Sequence, residues 1–351
     1  MTTEEKFVWG KEIPVPAHLI TYVDDEVVSS QEMPPGTKVL SISPSGASYW
    51  ARTAKIEAVD AEGNETPFFI KVHIGAHGRK MVSGEFEGMK RLHQVGPEIV
   101  AEPLGWGIYE SNTDASFFVC RYHELSGDIP EVSDFPELLA EMHKSERAVA
   151  PTGEFGFGRV TYGGRNPVFF PMCRTWEECF SAGLALTFDL EQETHGPEEL
   201  MTQLRESIMT KVIPRLLRPL ETEGRKIVPT LCHGDMWDGN ASVDVNTGKP
   251  MIFDATPLYA HNEYELGPMW PTRHKMTMEY INEYTKYYPI AEPEGDFYDR
   301  IALYCLRFDL HASSLYYGNP LFRNISKDAM KTLIEKYAGG YEAYQKERGL
   351  A

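Results

Sequence analysis

Polar and apolar positions follow two regimes along this chain: strand-like runs broken by turns in the first third, then apolar residues at helical spacing beyond Tyr122. Lys38-Val39-Leu40-Ser41-Ile42 reads as a strand running into Pro44-Ser45-Gly46, and Tyr49 to Val59 follows with β-branched, small and charged residues mixed. Asp60-Ala61-Glu62-Gly63-Asn64 has hairpin-turn composition, and Pro67-Phe68-Phe69-Ile70-Lys71-Val72 is the strand that leaves it. Together they predict an antiparallel meander. Ser83 to Val95 then carries Phe86, Met89 and Leu92 at helical spacing, before two short strands around Leu104 to Tyr109 and Phe117 to Tyr122.

In the second regime Asp134 is placed to cap a helix with the stripe Phe135, Leu138, Leu139 and Met142, and Glu137 stands at the capping-box position. Further helices are expected over about Pro197 to Leu220, Asn262 to Tyr288, Asp296 to Tyr317 and Lys327 to Glu347. Strand-like pieces are Lys226 to Leu231, Ser242 to Val245 and Met251 to Phe253. The run Gly153 to Pro171 mixes glycines with phenylalanines, which fits an ordered, packed loop better than a flexible linker. The expected class is α+β with two lobes, a small antiparallel β lobe over residues 1–122 and a large, mainly helical lobe over 123–351.

Composition narrows the partners. The 351 residues carry 34 Lys plus Arg against 52 Asp plus Glu, a formal charge of -18. A surface that neutralises nucleic-acid phosphates would have to be basic, so nucleic acid is not expected as a partner. The acidic start MTTEEKFVWGKEIP lacks an apolar h-region. No stretch approaches the roughly 18 consecutive apolar residues of a membrane span, so no membrane partner is expected and the location reads as cytoplasmic. Cys120, Cys173, Cys179, Cys232 and Cys305 are odd in number and scattered, as expected of reduced, packed thiols without a disulfide or zinc.

The chemistry concentrates in Leu231-Cys232-His233-Gly234-Asp235-Met236-Trp237-Asp238-Gly239-Asn240, followed by Met251-Ile252-Phe253-Asp254. An Asp, an Asn five residues on and a second Asp ending a hydrophobic strand is the order that phosphoryl transfer from ATP requires. In that scheme Asp235 accepts the proton of the acceptor hydroxyl, while Asn240 and Asp254 supply the hard oxygens that Mg²⁺ prefers. The spacing is that of a kinase catalytic loop, with HGD in place of HRD. Lys71, at the end of an apolar strand, and Glu85, on the following helix, suit the lysine that contacts the α- and β-phosphates and the carboxylate that holds it. Glu87 is the rival partner, rotated off that helical face. The nucleotide loop Ser43-Pro44-Ser45-Gly46-Ala47-Ser48 has one glycine, so a phosphate-cradling role for Gly46, Ala47 and Ser48 rests on position and small side chains.

These residues resemble the fructosamine kinases (ketosamine-3-kinases), a family within the aminoglycoside-phosphotransferase-like branch of the protein-kinase-like fold. His233 to Asn240 is similar to the family's HGDLWSGN, Tyr259-Ala260-His261-Asn262-Glu263-Tyr264-Glu265-Leu266 to its YGHSEYDL, and Phe155-Gly156-Phe157-Gly158 with Asn166-Pro167, Trp176 and Phe180 to its FGF…W..FF segment. The resemblance implies ATP held by backbone groups at Arg121, Tyr122 and His123, and a ketosamine phosphorylated on its sugar 3-hydroxyl, either a small amine-linked sugar or a glycated protein lysine. Trp237 offers a π-face for the sugar or a substrate ammonium. Glu265 looks like an acid bracing the catalytic-loop backbone, with His233 in the same supporting layer. His311 sits where the family often has a histidine near the acceptor, and a satisfied core histidine fits it equally.

Three departures bear on this implication. Arg121 stands where the family commonly has Glu, the nucleotide loop is poor in Gly, and Asp238 replaces a small residue beside Trp237. A cationic acceptor tolerates Asp238 better than an anionic one, in keeping with the net negative charge. An aminoglycoside or choline-type phosphotransferase, a non-catalytic nucleotide-binding protein, and a metal hydrolase built on His233, Asp235, Asp254 and His261 stand as alternatives.

Overall fold

The computed structural model describes residues 15–29, 33–47 and 51–349. They fall into two compact units, one within Met1–Asp128 plus Ser242–Ala255 and the other comprising Ile129–Ala241 plus Thr256–Ala351. A single cut near residue 122 therefore leaves out one excursion of the chain, since 242–255 clusters with the first unit.

The first unit is built on strands β1 (Lys38–Ala47), β2 (Arg52–Val59), β3 (Phe68–Ile74), β4 (Pro103–Ile108) and β5 (Ala115–Arg121). Their order is β1-β2-β3-β5-β4, with antiparallel pairing throughout. Alternation puts Ala54, Ile56, Ile70, Val72, Phe117 and Val119 on one face, together with Leu19, Val27 of helix α1 (Asp25–Ser29), and Tyr109. Tyr109 donates its hydroxyl to the Leu19 carbonyl at 2.9 Å, so the one polar atom of this buried ring is satisfied. Helix α2 (Gly75–Val95) lies against β3, β4 and β5.

Helix α2 starts at Gly75 and not at Ser83. Glycines at 75, 78 and 84 mask the helical signal because each lowers intrinsic propensity. Gly78 has a packing reason: a Cβ there would sit 2.6 Å from the Cβ of His73, so only glycine lets the first turn of α2 approach the end of β3.

Within the second unit, helix α3 (Phe135–Lys144) has Asp134 at its N-cap position, but that carboxylate makes no capping bond and instead accepts from Ser133 Oγ at 2.7 Å. Helix α4 (Trp176–His195) is absent from the sequence expectation. Its buried positions Trp176, Phe180, Leu184 and Phe188 recur every fourth residue, and Thr175 caps it by accepting from the Glu178 N–H. The expected helix over Asn262 to Tyr288 is two pieces, a 3₁₀ segment Asn262–Met269 and a helix Met278–Tyr287, because Pro268 and Pro271 interrupt the hydrogen-bond ladder. The last expected helix likewise divides into Leu321–Lys336 and Gly340–Glu347 at Gly340, which has φ +59°. Three short strands not expected from the sequence are Leu258–Ala260 and the hairpin pair Thr161–Gly163 and Asn166–Val168 inside the Gly153 to Pro171 run.

The aromatic residues of the second unit converge on fully buried Trp176. Phe155, Phe170, Phe180, Tyr264 and Tyr304 place their ring centroids 5.6–6.5 Å from it. Its indole N–H donates to Tyr304 Oη at 2.9 Å. The loop from Gly153 is thereby ordered, and it is also paired to strand Leu258–Ala260 through Gly156 N–H to Tyr259 O at 2.8 Å and its reciprocal at 3.0 Å. Gly156 has φ +105°, and a Cβ on it would lie 2.3 Å from the Pro171 carbonyl oxygen. Buried Arg300 grips Glu263 with Nε and Nη2 at 2.7 and 2.9 Å and donates to the Pro293 and Ala291 carbonyls at 2.8 Å. This fully hydrogen-bonded pair and the aromatic cluster fix the segment that carries Glu265.

Candidate active site

The first unit supplies a lysine between two carboxylates. Lys71 lies on β3 opposite Thr53 and Phe118, and the packing of α2 on the sheet brings Glu85 to it. Lys71 Nζ is 2.7 Å from Glu85 Oε1 and 2.5 Å from Asp254 Oδ1. Asp254 is held nearby because the strand before it is tied to the chain after α2 by Ile252 N–H to Ile99 O at 2.8 Å. Burial disfavours the Lys71 ammonium, but Asp254 and Glu85 outweigh it and raise its pKa above the ordinary lysine value. Burial also raises Glu85, with Lys71 opposing and Asp254 adding. With one ammonium shared by two carboxylates, Lys71 is the group held firmly charged. Asp254 adopts φ +57°, a conformation that Asp tolerates better than most residues but that still costs energy. Its side chain is 53% exposed.

The remaining nucleotide-side candidates fall as follows. Strand β1 runs on through Gly46 to Ala47, which pair with Thr53 and Arg52; Ser48 lies outside the described residues. Arg121 aims its side chain at Glu102 (3.1 Å) and Thr66 (2.5 Å), over the Phe68 ring. The backbone N–H groups of Arg121 and Tyr122 already donate to Glu102 O and Pro67 O, and the His123 ring bonds Asp244 at 2.7 Å.

In the second unit, Thr230–Cys232 pairs with Leu258–Ala260 and delivers the chain into His233-Gly234-Asp235. Gly234 has φ +80°, and a Cβ on it would meet the Thr256 carbonyl oxygen at 2.1 Å, which explains the glycine between His and Asp. Both oxygens of buried Glu265 accept backbone N–H groups: Oε2 from His233, and Oε1 from Gly234 at 3.0 Å. Asp235 N–H donates to His233 Nδ1 at 3.3 Å, which assigns the proton of a neutral His233 ring to Nε2. Asn240 donates Nδ2 to both the carbonyl (2.8 Å) and the Oδ2 (3.1 Å) of Asp235, orienting the carboxylate.

Behind this loop stands His143 of α3, which the sequence does not single out. Asn262 Nδ2 donates to Tyr284 Oη at 3.0 Å, Tyr284 Oη and His143 Nδ1 share a hydrogen bond at 2.8 Å, and His143 Nε2 faces Glu265 Oε2 at 3.6 Å. His143, Cys232 and Glu265 bring N, S and O atoms within 4.8 Å of one another. Burial, with Glu265 adding, pushes the Cys232 thiol well up, and both Glu265 oxygens are spent on amides, so the trio is a packed brace. His261 bonds Tyr304 Oη at 3.0 Å; burial lowers its pKa to about 4, with Glu263 opposing and Arg300 adding.

Trp237 and Asp238 are partly buried, and His274, also not singled out by the sequence, meets both. Its Nδ1 lies 2.9 Å from Asp238 Oδ1 and its ring sits 5.3 Å from that of Trp237. Burial lowers the His274 pKa, with Arg273 adding and Asp238 opposing. His311 is buried with Nε2 at 2.9 Å from the Gly163 carbonyl. Burial and Arg307 lower its pKa to about 3, with that bond opposing, so it stays neutral as a support for the hairpin.

Backbone similarity first gives the class. A thermostable mutant of an aminoglycoside phosphotransferase, solved with AMP-PNP and hygromycin B, matches with a TM-score of 0.56 at 16% identity, covering 85% of this chain and 94% of that one. The fold is that of the kinase-like phosphotransferases, α+β with a small antiparallel sheet and a helical region. The fructosamine kinase family model matches residues 51–336, and the chain belongs to that family. A protein-ribulosamine 3-kinase, chloroplastic, of Oryza sativa subsp. japonica is 28% identical over 283 residues, 80% of this chain and 75% of the rice protein. The ketosamine-3-kinase of Mus musculus is 28% identical over 219 residues, 56% of this chain and 67% of the mouse protein.

Proposed function

We propose that this protein transfers the γ-phosphoryl group of ATP to a sugar hydroxyl, the 3-hydroxyl, of a ketosamine, either a small amine-linked sugar or a glycated protein lysine. The observation that carries the reading is the Asp235 carboxylate oriented by Asn240 on a loop whose amides Glu265 clamps, in a chain of the fructosamine kinase family. Asp235 accepts the hydrogen bond of the acceptor hydroxyl. As the acceptor oxygen bonds to the γ-phosphorus, the bond from that phosphorus to the β,γ-bridging oxygen breaks. Its electron pair leaves with ADP, and the hydroxyl proton passes to Asp235. Lys71, held charged by Glu85, binds the α- and β-phosphates.

Asp254, half-exposed, and Asn240, whose Nδ2 is turned to Asp235, each carry an oxygen of the hard type that Mg²⁺ takes. The ion would neutralise phosphate charge there. Since the N–H groups of Arg121 and Tyr122 are engaged, the hinge contribution to adenine is assigned to carbonyl oxygens and to the backbone of His123. Among the described residues no helix is long and apolar enough to cross a membrane.

The test is ATP consumption by purified protein against a panel containing a fructosyl-lysine, a free hexose, an aminoglycoside and choline. Turnover with the ketosamine is expected. Turnover confined to the aminoglycoside or choline would replace the acceptor, and Mg²⁺-dependent ATP binding without any turnover would remove catalysis. Lys71→Ala is expected to raise the Kd for ATP roughly tenfold to a hundredfold, the scale of a lost charge-assisted contact. Calorimetric titration with ATP measures it, and an unchanged Kd would take Lys71 out of the phosphate site.

A further inference from the structure

One arrangement beside the HGD loop is not used by the phosphoryl-transfer scheme. The Trp237 indole is folded over its own loop, so that a Cβ at Gly239 would lie 2.3 Å from Trp237 Cη2. Its edge meets the His274 ring at 5.3 Å between centroids and 62° between planes. His274 Nδ1 in turn lies 2.9 Å from Asp238 Oδ1, with both side chains largely buried at 17% and 16% exposure. The segment carrying His274 is neither helix nor strand, yet it is pinned at successive residues. Arg273 is paired with buried Asp309 and lies over the Phe322 ring at 5.3 Å, and His274 reaches Asp238. An indole supported by Gly239 alone could still turn about its side-chain torsions, whereas contact on a second side selects one rotamer.

We infer that His274 is a specificity-determining positioning residue: packed against Asp238, it locks the Trp237 indole as a preformed wall for the acceptor. This deepens the proposed function and rests on it. Asp238 then acts on the acceptor through His274. A wall fixed before binding spares the ordering cost that the acceptor would otherwise meet, so its loss falls on acceptor affinity and not on the chemical step.

The experiment compares His274→Ala, His274→Phe, Asp238→Ala and the Asp238→Ala/His274→Ala pair. His274→Ala and Asp238→Ala are each expected to raise KM for the ketosamine about tenfold, with kcat and KM for ATP within about twofold. The double variant is expected to be no worse than the singles. His274→Phe keeps a ring edge against the indole and is expected to recover most of the loss. Acrylamide quenching of Trp237, isolated by subtracting the spectrum of Trp237→Phe, should increase in His274→Ala. An unchanged ketosamine KM, additive losses, or a fall in kcat alone would overturn the inference. If the wild type shows no turnover with any ketosamine, the functional reading fails, and the quenching comparison still decides whether His274 locks the indole.

Discussion

Asp235→Asn is expected to lower kcat by about 10³-fold, within the range that a positioned general base contributes, while leaving ATP binding and the thermal midpoint near those of the wild type. The substitution is nearly isosteric. Asn240 Nδ2 donates to Asp235 Oδ2 at 3.1 Å and to the backbone carbonyl at 2.8 Å, and an amide oxygen can still take the first while the second is untouched. What is lost is the capacity to accept a proton. Steady-state ATP consumption with a ketosamine, together with calorimetry for ATP, separates the two effects. A variant that retained a tenth or more of wild-type kcat would show that the proton leaves by another route. A variant that lost ATP binding would show instead that Asp235 shapes the nucleotide site.

The parts of this site that were legible in the sequence are those fixed by local spacing. Lys71 follows the apolar run Phe68 to Ile70 and Glu85 lies on the helix after it, an order legible in the sequence, although Lys71 stands mid-strand in β3, Glu85 stands inside α2, and the packing of α2 on the sheet brings them within 2.7 Å. Asp235 and Asn240 lie on one short loop, and the Asn side chain reaches back across it. The β1–β3 meander was legible for the same reason, turn residues at fixed positions between apolar runs. What stayed hidden depends on contacts distant in sequence. Gly78 looks like a helix breaker until the approach of His73 is seen. The extent of α4 is obscured by its polar tail, although its cap and its four-residue stripe were present. His143 and His274 carry no local signal, because their partners, Glu265 and Asp238, are brought to them only by tertiary packing. Even the assignment of 242–255 to the first unit follows from backbone bonds such as Ile252 to Ile99, which no periodicity announces.

The second large effect is expected from a residue that never meets the substrate. Glu265 is fully buried, and its two oxygens accept the N–H groups of His233 and Gly234. Glu265→Ala strands both donors where water cannot replace the carboxylate, at roughly 1–3 kcal/mol for each unsatisfied group. The deleted side chain also leaves a void facing His143. A combined loss of about 3–5 kcal/mol corresponds to a fall in Tm of roughly 4–7 °C for a chain of 351 residues, measurable by calorimetric unfolding. Activity below the new midpoint should also fall by about a hundredfold, because these amides set the position of Asp235 and small misplacements of a catalytic group are costly. Glu265→Gln keeps one acceptor oxygen but turns an NH₂ group toward the other amide, so it should recover part of the stability and little of the activity. A Glu265→Ala protein that melts with the wild type would mean that the loop is held by its other ties, Thr256 N–H to His233 O at 2.9 Å and Thr256 Oγ1 to Gly234 O at 3.0 Å. In that case the carboxylate is not the clamp on which the geometry of Asp235 depends.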